Sequence, residues 1–471
     1  MLDVLCYELG ALPWSLAKSD GQPVKTNKSQ LLALLEKVIP SVTDVPISTA
    51  VVFDFMAVLQ AVSPGGTTFA SLAQLLRSVM VGIRVGGRID LVIDQYPETS
   101  IKCFERDRCA ASRTVHVILS RRDQKVPNWR KFLSGSKNKV QLIDFLVGEW
   151  KLACYAPLLK SKSMFLCHGN ECTVFRSADG LSVSSHIVAA LRCQHEEADT
   201  RMFFHAHHAA SNGAGTVIIK SSDTDVAMIG CAVVNSIPGR VLLHVGTKHR
   251  SRYLDLKKIS DQLGEDISAS LPGVHSFSGC DSTSAFSGKG KAFAYKLILE
   301  GHCDAMKMLG QEFTVTDELH SLCEKFLCRL YGKPKLTSIN EVRYELFKSQ
   351  SQSSASLPPT QDALRHHVQR SNFQAAVWNR ALQPQGEPSA RGHGWIIDGN
   401  AITIRWMSLP PAPSALMELI RCCCKTSCTS QRCKCLKNNL RCSDLCKCTN
   451  CNNEAAYELE ESDSGEAADE C

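Results

Sequence analysis

The stretch His195-Glu196-Glu197-Ala198-Asp199-Thr200, followed by Val217-Ile218-Ile219-Lys220-Ser221-Ser222-Asp223-Thr224-Asp225, decides how the chain is read. The first piece sets carboxylates at the head of an amphipathic run; the second is a short apolar strand ending in two carboxylates one residue apart. In an open α/β sheet, ligands sit outside the carboxyl ends of the strands. That places Asp223 and Asp225 at the mouth of a cleft, with Glu197 and Asp199 facing them from a helix. Carboxylates converging in this way repel one another unless a cation neutralises them. A hard, oxygen-only donor set suits Mg²⁺ or Mn²⁺.

Two further strands end on acids. Ala50-Val51-Val52-Phe53-Asp54 leads into the helical spacing of Met56 to Gln60, and Ile89-Asp90-Leu91-Val92-Ile93-Asp94 follows Gly86-Gly87. Between them residues 67–84 read as a helix with Thr67 or Thr68 as its N-cap. Val241 to Val245 is another strand and Leu256 to Leu263 a helix, while Val140 to Trp150 opens an amphipathic core helix over 140–156. This alternation predicts an α/β fold, a mostly parallel sheet flanked by helices. Phe165 to Phe175 reads as a hairpin with a Gly169-Asn170 turn. Its Cys167, His168 and Cys172 are zinc-ligand types, but no second pair follows at suitable spacing. His205, His207 and His208 are expected on a half-exposed helix face rather than in a metal site.

Past Asp225, Gly279-Cys280-Asp281 leads into Gly288-Lys289-Gly290-Lys291. The spacing fits neither a Walker loop nor a dinucleotide fingerprint. It suits a helix-hairpin-helix, in which glycines let the backbone approach a phosphate and the next helix offers its N-terminal amides. Residues 98–150 are rich in Lys and Arg, as either a polyanion-binding face or a solvated surface.

Taken in order, Asp54, Asp94, Glu197-Ala198-Asp199, Asp223-x-Asp225 and Gly279-Cys280-Asp281 with Gly288-x-Gly290 resemble the motifs of the PIN-like superfamily, and most of all its flap-endonuclease branch, over roughly residues 49–300. The resemblance implies a two-metal phosphodiester hydrolase. By it, Asp54, Asp94, Glu197 and Asp199 hold one Mg²⁺ or Mn²⁺ and Asp223, Asp225 and Asp281 the other, with Lys102 and Arg106 steering the scissile phosphate. The chain departs from the family by about a hundred residues inserted between Asp94 and Glu197, and by aspartate at 199 where glutamate is usual.

The cysteines divide the chain again. Of 23, ten fall between Cys422 and Cys451. The spacing Cys422-x-Cys424-x3-Cys428-x4-Cys433-x-Cys435-x6-Cys442-x3-Cys446-x-Cys448-x2-Cys451 gives nine thiols, with Cys423 extra. Nine thiolates serve three tetrahedral Zn²⁺ ions if three sulfurs bridge, and so compact a segment folds only with its metal. It resembles a single tesmin-type CXC domain, a zinc cluster that binds DNA; a similar cluster beside some histone methyltransferase domains is structural. Members that read a specific DNA site carry a tyrosine just before the fourth cysteine. Arg432 stands there in this chain, so phosphate contact, with Lys425 and Lys434, is expected rather than base readout. Residues 421–451 carry seven basic side chains against Asp444, and Glu454 to Glu470 carries eight acids and no base, an acidic tail expected to be disordered.

Length and composition fit a multi-domain globular protein: 471 residues, 44% hydrophobic, 21% charged, net charge +6. The expected order is an N-terminal extension (1–48), the nuclease-like domain (49–330), a helical segment with linkers (331–393), a small hairpin (394–420), the zinc cluster (421–453) and the tail (454–471). The first residues show no signal peptide, and the apolar run from Phe55 to Leu76 is broken by Pro64-Gly65-Gly66, which argues against a membrane span. Tyr7 to Trp14 opens without a cap, as in a piece of a longer chain. Clustered cysteines without a secretory signal read as metal ligands in the nucleus or cytoplasm. The combination is similar to open reading frames of mobile elements and genes domesticated from them. It predicts a metal-dependent nuclease on DNA, or RNA, brought to its substrate by the zinc cluster. The alternative is a non-catalytic zinc-dependent DNA- or chromatin-binding protein on a nuclease-derived scaffold.

Overall fold

Continuous apolar runs form the middle of the fold, because a parallel strand covered on both faces has no polar side to show. The computed structural model describes residues 2–43, 49–81, 87–97, 100–101, 116–246, 251–349, 356–386, 388–399, 401–417, 421–425, 427–438, 440–442, 446–449 and 451–453. An eight-stranded sheet contains β1 (Thr49–Asp54), β2 (Arg88–Val92), β3 (Ser163–His168), β4 (Glu171–Arg176), β5 (Ser184–Ile187), β6 (Thr216–Lys220), β7 (Arg240–Val245) and β8 (Arg252–Asp255). Their order is β5-β4-β3-β2-β1-β6-β7-β8. The five strands from β3 to β7 in that order are parallel, and the sheet is extended antiparallel by β4 and β5 at one edge and β8 at the other. The α/β, mostly parallel expectation is met.

The chain runs from β1 outward to β2 and β3, then returns to the other side of β1 with β6 and β7. The topological switch point therefore lies between β1 and β6, where an open sheet splays its connections and leaves a crevice. Helices Phe69–Val81, Ser136–Glu149, Ala198–Ser211 and Thr224–Val233 flank the sheet. Thr68 caps the first of these, its Oγ1 accepting from Ser71 N at 3.2 Å. The helix expected over 140–156 begins earlier and stops at Glu149, followed by a short 3-10 turn at Ala153–Tyr155.

One hydrophobic core runs from Leu16 to Ile402. Within the helical segment expected over 331–393, helix Gln361–Asn379 is buried along most of its length, with Trp378 stacked on His275 at 5.3 Å between ring centroids. The boundaries expected at 48/49 and 330/331 thus do not separate cores: the N-terminal segment and this helix complete the same one. The hairpin of β9 (Trp395–Asp398) and β10 (Ala401–Ile404) forms as expected, and Trp395 and Ile402 join that core too. The cysteine segment has its own small core, made of its thiols. No described helix is long and apolar enough to cross a membrane.

Candidate functional site: acids at the switch point

Three adjacent parallel strands, β2, β1 and β6, deliver Asp94, Asp54 and Asp223 to the same edge of the sheet. Neighbouring strands lie about 4.8 Å apart. Asp54 ends β1 and caps the next helix, its Oδ1 accepting from Met56 N at 2.9 Å and Ala57 N at 3.3 Å. Burial, and then the charge of Asp94, push its pKa up; the two backbone hydrogen bonds oppose them. Asp94 Oδ1 accepts from Ala198 N at 2.9 Å. That bond docks the start of helix Ala198–Ser211, with Glu197 at its N-cap and Asp199 in its first turn. Four of the predicted acids therefore share one corner, and Glu197 is buried there.

The second group is built around a cation that the sequence did not point to. Lys28 Nζ, from the N-terminal segment, bonds Asp281 Oδ2 at 2.7 Å and Asp225 Oδ1 at 3.2 Å, with Asp223 Oδ1 at 3.8 Å. Burial works against the ammonium, yet Asp225, Asp223 and Asp281 outweigh it and hold the Lys28 pKa well above the ordinary lysine value. Asp223 caps helix Thr224–Val233 through Asp225 N at 3.0 Å. Burial, and then the Asp225 charge, push Asp223 up to about 6. Asp225 is almost fully buried and takes a second bond, 2.7 Å from His275 Nε2. Burial first and the Lys291 charge second pull His275 down to about 4, so it is a neutral imidazole donating from Nε2.

Asp281 reaches the cluster on the loop between helices Glu265–Phe277 and Lys291–Leu299. Gly279 turns that loop with φ +103, and a Cβ on it would stand 2.7 Å from Ala285 N. The N-terminal segment pins the same loop: Lys25 Nζ bonds the carbonyls of Cys280 and Asp281 at 3.1 and 2.6 Å, and Ala285 N donates to Val24 O at 2.8 Å.

The phosphate-binding role expected of Gly288 to Lys291 is corrected in one part. Lys291 is fully buried, donating to His275 O at 2.8 Å and Ser278 Oγ at 3.1 Å, and burial pulls it down to about 7. It braces the loop from beneath and cannot reach a phosphate. Gly288 is exposed, Gly290 is half-buried, and Lys289 lies 4.8 Å over the Tyr331 ring, half-buried at the rim. Lys102 and Arg106 lie outside the described residues. His205 is also corrected: it is buried, not half-exposed, because its ring turns under the sheet.

In the cysteine segment, all nine expected thiols fall into quartets close enough to hold an ion: Cys422, Cys442, Cys446, Cys448; Cys422, Cys433, Cys435, Cys442; Cys422, Cys424, Cys428, Cys433; and Cys428, Cys442, Cys448, Cys451. Several thiols recur between quartets, as bridging sulfurs would. Cys423 is exposed, and so are Lys425, Arg432 and Lys434, a basic shell around a thiol core.

No protein-family model and no curated protein matches the chain. Among solved structures it is similar to the T5 D15 protein co-crystallized with metal ions, at 13% identity and TM-score 0.31 over 64% of this chain and 94% of that one. It is also similar to the T5 5′-exonuclease with bound zinc, at 12% identity and TM-score 0.31 over 68% of this chain and 99% of that one.

Proposed function

We propose that the chain is a divalent-metal-dependent nuclease acting on DNA or RNA phosphodiesters, with its cysteine segment a multi-zinc, CXC-like module that holds nucleic acid through phosphate contacts. One observation carries this reading: the strands leading to Asp54, Asp94 and Asp223 lie side by side at the switch point, and a cation, the Lys28 ammonium, sits among Asp223, Asp225 and Asp281. A pocket that draws a half-buried ammonium suits a hard metal ion, and the donors are all oxygens. Asp54, Asp94, Glu197 and Asp199 would hold one Mg²⁺ or Mn²⁺, and Asp223, Asp225 and Asp281 a second. Such ions activate water and stabilise a leaving oxygen when bound.

The chain's own groups prepare that site. Asp54 and Asp223 each commit an oxygen to a helix cap, which fixes their carboxylates at the edge of the crevice. His275 orients Asp225 as a neutral donor, adding no charge to compete with a cation. Lys28 offsets part of the negative charge of the second cluster and must yield, or share it, when a divalent ion enters.

The same Lys28 contact is the observation that favours the alternative, a non-catalytic zinc-dependent nucleic-acid-binding protein whose acid cluster is satisfied from within. Labelled single-stranded, duplex and 5′-flap oligonucleotides decide between them when incubated with the zinc-loaded protein and Mn²⁺ or Mg²⁺. Metal-dependent cutting that Asp54→Asn removes supports the nuclease; binding without cutting of any substrate leaves the alternative. The thiol-built core of the cysteine segment suits a reducing compartment, nucleus or cytoplasm.

A further inference from the structure

The β3–β4 hairpin sets Cys167 directly opposite Cys172. Side chains opposed across an antiparallel pair share a face, with Cβ atoms about 5 Å apart. The third member comes from across the fold: helix Ala198–Ser211 turns His205 in toward the thiols, with Nε2 3.2 Å from Cys167 Sγ. All three residues are buried, and their donor atoms lie within 4.8 Å of one another. His205 Nδ1 is committed elsewhere, 2.7 Å from Asp90 Oδ1 on β2. Asp90 is itself fully buried and held by Arg88, whose Nε and Nη2 donate at 2.7 and 2.8 Å. With Asp90 accepting a hydrogen bond from Nδ1–H, the neutral imidazole keeps its Nε2 lone pair on the side of the two sulfurs. This is how a metal-binding histidine is oriented from behind.

We propose that Cys167, Cys172 and His205 bind a single thiophilic d10 cation, Zn²⁺ or Cu⁺, in the interior of the α/β unit. Two thiolates and an imidazole select such soft ions over Mg²⁺ or Ca²⁺. The three protein donors satisfy Cu⁺, whereas Zn²⁺ takes a fourth ligand. Binding turns two thiols into thiolates, and both protons leave to solvent. A nucleophilic Cys-His-Asp reading fails on access, since Cys167, His205 and Asp90 have no exposed surface. The ion would tie β3 and β4 to the helix that carries Glu197 and Asp199. It stands independently of the nuclease reading.

The test uses the 471-residue chain with the nine cluster cysteines changed to serine, since that segment packs as a separate small core. The protein is exposed to zinc and, separately, to Cu⁺ under reducing conditions, then desalted for elemental analysis and native mass spectrometry. One equivalent should remain per folded chain, its identity separating zinc from copper, and His205→Gln or Cys172→Ser should lose it. Reconstitution of the unmutated chain with ¹¹³Cd checks the donors without any variant: one resonance, upfield of the all-thiolate signals, should report mixed sulfur and nitrogen ligands. A folded chain that retains neither metal, lacks that resonance, or carries a Cys167–Cys172 disulfide after reduction and desalting overturns the proposal.

Discussion

Lys28 is the residue on which the chemistry turns. Its ammonium is bonded to Asp225 and Asp281 and stands beside Asp223, so a divalent ion entering this cluster competes with a charge already in place. Lys28→Met should lower the Mn²⁺ concentration for half-saturation about tenfold, equivalent to ~1.4 kcal/mol, and should make the chain's melting temperature depend more strongly on added Mn²⁺. Calorimetric titration reads the first effect and thermal melts the second; unchanged affinity would show that the ion binds away from Lys28. Asp223 adds a pH dependence. Its pKa is raised to about 6 in the folded chain, where burial and Asp225 disfavour the charge. The unfolded carboxyl keeps its ordinary value near 3.9. Between those values the folded chain binds the extra proton, so this group favours the fold as pH falls through 6 and opposes it above. Cation affinity runs the other way, because the ligand is the carboxylate. Mn²⁺ binding should therefore weaken as pH drops below about 6, and a pH series of titrations would show it.

Among the elements, the loop carrying Asp281 rests on Gly279. Its φ of +103 and the 2.7 Å approach of a Cβ to Ala285 N leave no room for a side chain. Gly279→Ala should cost about 1–3 kcal/mol in stability, the usual range for forced backbone strain, and denaturant melts would measure it. The strands that carry the acids were legible because a parallel strand buried on both faces must be a run of Val, Ile and Phe, and each run ended on an acid. Asp54 and Asp223 also betray themselves as helix caps. The edge strands β5 and β8 carried no such signal: each is only four residues long, and β5 is largely exposed. Lys28 and His275 were invisible for another reason. Their partners lie 197 and 50 residues away, and no local pattern encodes a contact at that separation. Lys291 misled because a Gly-Lys-Gly-Lys run looks the same whether its last ammonium faces a phosphate or a buried carbonyl. His205 misled because a helix next to a sheet buries whichever face the sheet covers, and polar residues there survive only when paired, as His205 is with Asp90.

At the scale of the whole molecule, the described residues form two unlike cores. One is a continuous apolar interior from Leu16 to Ile402, and the other is a knot of thiols with exposed cations around it. Lys425, Arg432 and Lys434 project from the second. If they meet phosphates, replacing all three with alanine should weaken duplex binding at every sequence alike. The slope of log K against log salt should also become shallower by about 2–3, at roughly 0.9 per phosphate no longer neutralised. Fluorescence anisotropy across a salt series would show this, whereas weakening confined to one sequence would mean base readout instead. The cluster's cysteine spacing was readable because the ligands are local in sequence, whereas the acid centre needed the fold to bring its parts together. Anomalous diffraction at the manganese edge, from crystals of the protein soaked in Mn²⁺, looks at that centre without an intermediary. A two-metal centre predicts peaks bonded to oxygens of the Asp54–Asp94–Glu197–Asp199 corner and of the Asp223–Asp225–Asp281 cluster, with Lys28 displaced from the latter. Crystals with no peak at either group and Lys28 still paired with Asp225 and Asp281 would contradict it.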